Sequence, residues 1–300
     1  MLIQQVPERF QPVYRSTYPG YSSGKNMEEI FYEMINKNKD TIKSDYVYLP
    51  VFWTSYYVTH NYGSNINELY QWLETLDKTK KYFTIVQYAA GIFVKNNDLS
   101  ILVFTSGGGG INIKGPNCII SASYFGLNRE LFIGNKGDID LPLICLPQFP
   151  SIDIEKDIYC SFMGRFDTHF CRIEMKNALQ NINKIKFYES VDFETYKTIL
   201  NRSIFTLAPR GYGYTSFRIY EAILCGSIPI YIWHDKKILP FDDILEWDKF
   251  SIIVHSSELH KLPELLESAD IKEMQCKLAE VQKYFTFDET YNYIKNKLIC

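Results

Sequence analysis

The sequence predicts an α/β protein of two domains, each built on a parallel sheet. Short apolar runs typical of buried parallel strands alternate with stretches of helical periodicity along most of the chain. Near the middle, residues 146–156 (LPQFPSIDIEK) combine two prolines with mixed charges and interrupt this alternation, as a linker does. The 300 residues, of which 46% are hydrophobic, are enough to build two cores.

The first half of the chain begins with a helical pattern and continues with strand-like runs. Apolar residues recur at helical spacing from Met27 to Lys39, and the run YVYLPVF that follows suits a buried strand. These elements predict a Rossmann-like first domain over residues 1–150. We expect helices over residues 27–39 and 65–76, and strands over residues 46–52, 82–88, 100–105 and, in shorter pieces, 118–143.

The same alternation restarts after the linker and predicts a second Rossmann-like domain over residues 151–300. The two domains are expected to face each other across a cleft, with ligands at the carboxyl ends of the strands. The last helix is expected to pack back on the first domain. We expect strands over residues 158–162, 184–188, 203–207, 227–232 and 250–254, and helices over residues 172–181, 193–201, 216–225 and from 258 onward.

The composition excludes several classes of protein. Lys and Arg number 32 against 35 Asp and Glu, so the net charge of −3 lacks the basic excess of a nucleic-acid-binding protein. With 22% charged and 16% aromatic residues, the chain is not disordered throughout. No apolar run reaches the roughly 18 residues that span a bilayer, and the N-terminus lacks a signal-peptide pattern. We therefore expect no transmembrane segment.

The seven cysteines are scattered along the chain, odd in number and mostly set in apolar segments. None forms a CxxC pair or a Cys/His cluster with the spacing of zinc ligands, so we expect no metal site built on cysteine. Buried, reduced thiols of this kind are typical of the cytoplasm, and we expect a cytoplasmic protein.

The strongest local pattern is a buried strand followed by the turn PRGYGY and a helix start. Glycines at 211 and 213 let the backbone approach a ligand closely, and Thr215 or Ser216 can cap the helix. The N-terminus of that helix offers unpaired N–H groups and a partial positive charge, and Arg210 adds a bidentate donor. The pattern predicts an anion site, for which a diphosphate is the natural ligand.

Arg218 and Glu221 lie three residues apart on the helix that follows the turn. One interpretation is a surface ion pair between neighbouring turns. The other places the Glu221 carboxylate one turn beyond the phosphate site, where it accepts hydrogen bonds from both hydroxyls of a ribose. The spacing leaves both interpretations open.

The segment LAPRGYGYTSFRIYEAILCGSIPIYI, followed by LPFDDILEWDKFSIIV, resembles the C-terminal half of the exostosin-like glycosyltransferases, family GT47. Weaker similarity extends to Tyr46–Phe52, to DIDLP at 138–142 and to IYCSFMGR at 158–165, so the resemblance covers about residues 18 to 285. It implies a GT-B fold, in which two Rossmann-like domains face each other across a cleft. It also implies an inverting, metal-independent enzyme without a cofactor that moves a hexosyl, pentosyl or glucuronosyl group from a UDP-sugar to a hydroxyl of a glycan or polysaccharide.

The resemblance also implies roles for individual residues of the second domain. Arg210 would neutralise the departing diphosphate, Thr215 and Ser216 would donate to it, and Glu221 would hold the ribose. Many members of the family are Golgi proteins with an N-terminal membrane anchor; because this chain shows none, we expect a soluble enzyme of bacterial or viral type, or one whose anchor was removed. The expected donor-binding residues are Gly164, Arg165, Arg210, Gly211, Tyr212, Gly213, Thr215, Ser216, Arg218 and Glu221.

An inverting transfer needs a general base for the acceptor hydroxyl, and the first domain is expected to supply it. Glu28 and Glu29 are candidates in the first turn of a helix, where acidic residues are also favoured by the helix dipole alone. His60, expected after a strand, is either a base or a surface residue. Two loops are candidate acceptor contacts, with core packing and a mobile glycine loop as the alternatives. Their residues are Trp53 and Tyr56 in the first, and Ser106, Gly107 and Gly108 in the second.

Two other functions fit the same pattern. A catalytically silent GT-B module would bind a nucleotide and support a partner transferase, and homo-oligomerisation is also open. A two-domain solute-binding protein has a similar architecture, but the lack of a secretion signal disfavours it. The transferred sugar and the linkage depend on a few side chains of the cleft, which the pattern does not identify.

Overall fold

The computed structural model describes residues 1–16, 24–63, 65–95, 98–112, 136–144, 154–189 and 191–299. The chain divides into two compact units, which we call the first unit (Met1–Leu141 with Phe287–Cys300) and the second unit (Pro142–Thr286). The division falls after Leu141, whereas we predicted it after residue 150. The last helix of the chain belongs to the first unit. The predicted strand over 118–122 and most of the predicted linker lie outside the described residues.

The first unit is built on a five-stranded parallel sheet in the order β1-β2-β3-β5-β7, with a second small sheet of β4 and β6. Its strands are β1 (Leu2–Ile3), β2 (Tyr46–Tyr48), β3 (Lys81–Val86), β4 (Ile92–Phe93), β5 (Ser100–Thr105), β6 (Ile111–Asn112) and β7 (Ile139–Asp140). Its helices are α1 (Met27–Asn38), α2 (Trp53–Thr59), α3 (Asn67–Glu74) and the last helix of the chain, α9 (Phe287–Leu298).

The second unit has its own five-stranded parallel sheet, in the order β12-β11-β10-β8-β9. The predicted α/β class with two Rossmann-like units is therefore confirmed. The strands are β8 (Ile158–Met163), β9 (Ile185–Tyr188), β10 (Ser203–Pro209), β11 (Ile228–Trp233) and β12 (Ile252–His255). The helices are α4 (Phe170–Leu179), α5 (Phe193–Arg202), α6 (Phe217–Leu224), α7 (Leu262–Ser268) and α8 (Ile271–Val281).

The segment after β2 differs from its prediction. We expected a strand to Phe52 and then an exposed loop, but the strand ends at Tyr48 and residues 53–59 form α2. Pro50 has no N–H for the sheet ladder, which favours an early end. Trp53 and Tyr56 are 0% and 2% exposed within the core of the first unit, so their predicted contact with an acceptor ring is wrong.

The buried indole of Trp53 has a specific partner. Its Nε1 donates to Thr84 Oγ1 at 2.8 Å, and that hydroxyl donates in turn to the carbonyl oxygen of Leu49 at 2.8 Å. Because a buried indole N–H is costly without an acceptor, this pair of hydrogen bonds fixes α2 against the sheet. The spacing of the buried aromatic residues 53, 56 and 57 is that of one helix face.

Three of the four consecutive glycines after β5, Gly107, Gly109 and Gly110, pack against backbone. A Cβ added at Gly107 would stand 2.0 Å from the carbonyl oxygen of Gln87, and one at Gly109 would stand 2.1 Å from the nitrogen of Gly91. Gly107 and Gly108 are buried, so the predicted role of this segment in lining a cleft is wrong. Glycine is needed there because two loops of the first unit approach each other too closely for side chains.

We expect Gly91→Ala to lower the free energy of unfolding of the first unit by more than about 2 kcal/mol. Gly91 has a φ of +75°, and an added Cβ would stand 1.8 Å from the carbonyl oxygen of Gly110. Chemical denaturation followed by circular dichroism measures the change. Gly213→Ala is the control, because Gly213 is not among the glycines with a positive φ, and it should change the free energy by less than about 1 kcal/mol. Equal effects of the two substitutions would contradict this packing.

Candidate functional site

The candidate site lies at the carboxyl edge of the second sheet. Strands β10 and β11 are parallel and in register at Pro209 and Ile232, so the residues that follow them lie side by side. Strand β8, on the other side of β10, ends at Met163 and is followed by Gly164. Ligands of α/β sheets bind at this edge, where loops rather than strands determine the surface.

Arg210 fills the interior of the turn after β10. The residue is 0% exposed, and its guanidinium donates to the carbonyl oxygen of Tyr212 at 3.2 Å and to the carboxylate of Asp235 at 2.5 Å. Its Cζ lies 4.9 Å from the centre of the Tyr214 ring. Burial lowers the pKa of Arg210, and the carboxylate of Asp235 opposes that shift. The prediction that Arg210 binds the diphosphate is therefore wrong, since its donors are directed into the protein.

A second buried arginine holds the same turn from helix α4. Arg172 Nε donates to the carbonyl oxygen of Arg210 at 2.8 Å, and Nη1 donates to that of Arg165 at 2.8 Å. Within the turn, the N–H of Gly211 donates to the carbonyl oxygen of Thr215 at 3.2 Å. The turn is thus closed by its own hydrogen bonds and braced by two guanidinium groups.

Two histidines lie beside this turn. His169 caps α4 by accepting from the N–H of Cys171, and burial, followed by the charge of Arg210, lowers its pKa to about 2. His234 donates to or accepts from Ser256 Oγ at 2.7 Å, and burial lowers its pKa. Neutral rings at these positions act as structural hydrogen-bonding groups. Across the described ranges of the chain, no three His, Cys, Asp or Glu side chains form a group that could hold a metal ion.

Arg218, in the first turn of α6, is a further buried cation at this edge. It is only 6% exposed, yet Nε and Nη1 have no hydrogen-bond partner within the described residues. Its guanidinium carbon lies 4.8 Å from the centre of the Phe162 ring. A buried guanidinium without acceptors is costly, and an anion is the partner that would satisfy it.

Gly164 gives Arg218 the space it occupies. Gly164 has a φ of +131°, and a Cβ added there would stand 2.5 Å from Arg218 Nη2. Helix α6 begins beside it with Ser216 as N-cap, whose hydroxyl accepts from the N–H of Arg218 at 3.4 Å. The structure thus brings together Gly164, Ser216 and Arg218, three of the predicted donor-binding residues, at one helix N-terminus.

Glu221 lies one turn further along α6 and is 2% exposed. Its Oε2 accepts a hydrogen bond from the hydroxyl of Tyr196 on α5. The interpretation of Arg218 and Glu221 as a surface ion pair is therefore wrong, because both side chains are buried. The phenol of Tyr196 thus fixes the direction of the Glu221 carboxylate.

The remaining predicted donor residues are less enclosed. The side chain of Arg165 is 70% exposed and pairs with Asp167, so it does not join Arg218. Tyr212 is 49% exposed at the tip of the turn, next to the half-buried Gly213. Thr215 is buried, with Oγ1 at 3.4 Å from the hydroxyl of Tyr220.

The candidate bases of the first unit fall into different environments. Glu28 is buried, and its Oε1 accepts from Thr54 Oγ1 at 2.7 Å. Glu29 forms a bidentate ion pair with Arg15 at 2.7 and 2.8 Å, so its carboxylate is already occupied. His60 follows helix α2, not the strand we predicted, and its Nδ1 lies 2.8 Å from the carbonyl oxygen of Tyr56. Of the three, only Glu28 keeps an oxygen without a partner within the described residues.

Sequence reasoning missed three residues of this region, namely Arg172, Tyr196 and Asp235. Asp235 follows β11, and the parallel pairing of β10 with β11 is the signal that could have placed it beside Arg210. Tyr196 and Arg172 lie in helices without a distinctive motif, and only the folded chain brings them to the site.

Residues 132–269 match the Exostosin GT47 domain. The predicted resemblance to the exostosin-like glycosyltransferases is confirmed by this match. The matched segment includes the turn after β10 and helix α6, with Arg210, Arg218 and Glu221.

The chain is similar to a probable glycosyltransferase of Arabidopsis thaliana, with 36% identity over 114 residues that cover 38% of this chain and 24% of the relative. It is also similar to a probable glucuronosyltransferase of Oryza sativa subsp. japonica, with 39% identity over 148 residues that cover 44% of this chain and 35% of the relative. The matched part of the chain thus spans about a quarter to a third of the length of these curated relatives.

Among solved structures, the chain is similar to the crystal structure of AviGT4, a glycosyltransferase involved in avilamycin A biosynthesis. The two share 12% identity with a TM-score of 0.42, and the similarity covers 93% of this chain and 91% of that chain.

These relatives correct the predicted location of the protein. The prediction of a cytoplasmic enzyme of bacterial or viral type is wrong, because the relatives that match come from eukaryotes, among them Arabidopsis thaliana and Oryza sativa subsp. japonica. No helix in the described part of the chain is long and apolar enough to cross a bilayer.

We expect Asp235→Ala to lower the free energy of unfolding of the second unit by about 3 kcal/mol, because it leaves the buried guanidinium of Arg210 without its carboxylate. Denaturant titration of the purified protein measures the loss. Arg210→Met combined with Asp235→Ala should recover part of it, since no unpaired charge remains. The control is Asp167→Ala, at an ion pair whose side chains are 70% and 63% exposed, with an expected loss below about 1 kcal/mol. Equal losses for the two single substitutions would contradict the role of Asp235.

Proposed function

The chain carries an Exostosin GT47 domain over residues 132–269, and we propose that the protein is a glycosyltransferase that moves a sugar from a UDP-sugar to a hydroxyl of a glycan or polysaccharide. The reaction is inverting and needs no metal ion. The observation that carries the proposal is the buried guanidinium of Arg218, which lacks acceptors within the described residues. Relatives named as a probable glucuronosyltransferase and a probable β-1,4-xylosyltransferase support UDP-glucuronate and UDP-xylose as the first donors to test.

The diphosphate of the donor is the anion that Arg218 would bind. A guanidinium donates two parallel hydrogen bonds to phosphate oxygens, and the N-terminus of α6 adds backbone N–H groups and a partial positive charge. Gly164 supports this role because the absence of a Cβ leaves room beside Arg218 Nη2. Arg210, which we first expected to bind the diphosphate, acts indirectly: it fixes the turn from which α6 starts.

The ribose of the donor would be held by Glu221. Its carboxylate lies one turn beyond Ser216 on α6, and Tyr196 donates to Oε2. A carboxylate held in one direction can accept hydrogen bonds from the ribose hydroxyls with little loss of side-chain entropy. The order of groups along α6, with the phosphate partner first and the ribose partner second, follows the order of groups in UDP.

The proposed reaction is a single displacement at the anomeric carbon of the sugar. The oxygen of the acceptor hydroxyl forms a bond to this carbon as the bond from the carbon to the diphosphate oxygen breaks, and UDP leaves with that electron pair. The proton of the hydroxyl passes to a general base. Arg218 and the N-terminus of α6 stabilise the charge that develops on the diphosphate, which is the role a divalent cation has in metal-dependent transferases.

We expect Arg218→Met to weaken the binding of UDP by about 100-fold, because it removes a charge-assisted bidentate contact. Isothermal titration calorimetry with UDP measures the change, and turnover of a panel of UDP-sugars with oligosaccharide acceptors should fall with it. The matched control is Arg165→Met, an arginine of the same edge that pairs with Asp167, with an expected change below about threefold.

The stability of the Arg218→Met variant separates the proposal from a purely structural role. Because Arg218 has two buried nitrogens without partners, its replacement should leave the melting temperature unchanged or raise it. Unaltered affinity for UDP would overturn the assignment of Arg218. Binding of UDP without turnover of any donor would instead favour the nucleotide-binding module that supports a partner transferase.

We expect transfer to continue in the presence of excess EDTA at more than about half of the untreated rate, because the leaving-group charge is neutralised by Arg218 and the helix N-terminus. The released UDP is quantified with and without chelator, using a donor identified in the panel. A loss of more than about tenfold that Mn²⁺ or Mg²⁺ restores would contradict a metal-independent reaction.

A further inference from the structure

The second unit has a groove beside β9, the outermost strand of its sheet. The groove has a volume of about 520 Å³, which lies within the range of roughly 300–1,000 Å³ found for ligand pockets. Its lining side chains come from β8, β9 and α5 and include Tyr159, Lys184, Lys186, Tyr188 and Ile199. All residues that line the groove belong to the second unit, so a site there needs nothing from the first.

The alternation of side chains along β9 separates an apolar face from a basic one. Phe187 packs against Phe162 of β8 at a ring distance of 6.1 Å, on the face turned to the core. Because successive side chains of a strand point to opposite faces, Lys184, Lys186 and Tyr188 share the other face. Two ammonium groups, two residues apart, are therefore presented on the same side of the sheet.

The positive charge of the groove is not neutralised by its own residues. Lys184 Nζ lies 5.3 Å from the centre of the Tyr159 ring, and neither Lys184 nor Lys186 forms an ion pair within the described part of the chain. Among the described lining residues, the one carboxylate is that of Asp157, whose Oδ1 accepts from Arg202 Nε at 2.7 Å. The groove therefore favours a ligand with negative charge.

The tyrosines of the groove add a surface that suits a saccharide. The hydroxyl of Tyr159 donates to the carbonyl oxygen of Leu266 at 3.0 Å, which holds the ring in place, and Tyr188 is half-buried. Tyrosine combines an apolar ring with a polar edge, as the C–H and O–H groups of a sugar require. Lysines on an edge strand also discourage pairing with another chain, but that role needs neither a groove nor aromatic side chains beside them.

We propose that this groove is a second saccharide site, which binds an acidic segment of a glycan through the ammonium groups of Lys184 and Lys186. The carboxylates of uronate residues would accept hydrogen bonds from the two lysines, and a sugar ring would pack against a tyrosine. The choice of a saccharide rests on the proposed function, whereas its negative charge is inferred from the lysines. The site takes no part in the transfer step, and a second point of attachment would retain a polymer on the enzyme.

The test compares a glucuronate-containing tetrasaccharide with the same tetrasaccharide whose carboxylates are methyl esters, each titrated by calorimetry in saturating UDP. The acidic form should bind the unsubstituted protein at least about fivefold more tightly than the ester. Lys184→Ala combined with Lys186→Ala should weaken binding of the acidic form by about tenfold and remove this preference. Equal binding of acid and ester by the unsubstituted protein overturns the site.

The matched control is Lys176→Ala combined with Lys277→Ala, which removes the same charge at lysines that pair with Glu189 and Glu280 outside the groove. The expected change in affinity for the acidic tetrasaccharide is below about twofold. Equal losses in the two double variants would show an effect of net charge alone and overturn the groove.

A tetraglutamate peptide distinguishes a saccharide site from a site for any polyanion. It should bind at least about fivefold more weakly than the acidic tetrasaccharide, because it has no sugar ring to pack against the tyrosines. Equal or tighter binding of the peptide overturns the saccharide as the ligand.

The affinity for UDP separates this site from the proposed function. Lys184 and Lys186 are exposed, so the double variant should keep the melting temperature and the UDP affinity of the unsubstituted protein. A loss of UDP affinity together with saccharide binding would overturn a separate site. Absence of UDP binding and of transfer by the unsubstituted protein, with lysine-dependent saccharide binding intact, overturns the proposed function alone.

Discussion

The burial of one guanidinium determines the shape of the edge of the second sheet. Because Arg210 is buried, each of its N–H groups needs an acceptor. The carbonyl oxygen of Tyr212, in the turn after β10, accepts one hydrogen bond, and the carboxylate of Asp235 accepts another and supplies the opposite charge. Arg172 donates to the carbonyl of Arg210 itself, so the side chain and the backbone of one residue are both fixed. A turn held in this way has one conformation, and helix α6 starts from it in one direction.

Burial also gives the two arginines of this segment, Arg210 and Arg218, different roles. Arg210 has its acceptors within the chain, whereas Arg218 is nearly as buried but has two nitrogens without a partner in the described ranges.

The alternation of apolar runs and helical periods was sufficient to predict both parallel sheets, because buried parallel strands and amphipathic helices differ in length and period. It was not sufficient at α2, where seven residues are too few to reveal a period and the aromatic residues suggested a binding loop. The turn PRGYGY was located correctly, but the role of Arg210 was not, since Asp235 lies 25 residues further along the chain. The glycines after β5 were noticed, yet their partners, Gln87 and Gly91, approach them only in the folded unit.

The last helix has a consequence for the order in which the protein acquires its structure. Helix α9 contributes Tyr291, Ile294 and Leu298 to the interior of the first unit, and Phe287 meets Phe31 of α1 at a ring distance of 6.2 Å. The first unit is therefore discontinuous in the chain, with the whole second unit inserted between its two parts. Because the ribosome synthesises the chain from the N-terminus, all of the second unit is made before α9. The second unit can therefore complete its folding before the first unit, which is incomplete until α9 has been synthesised.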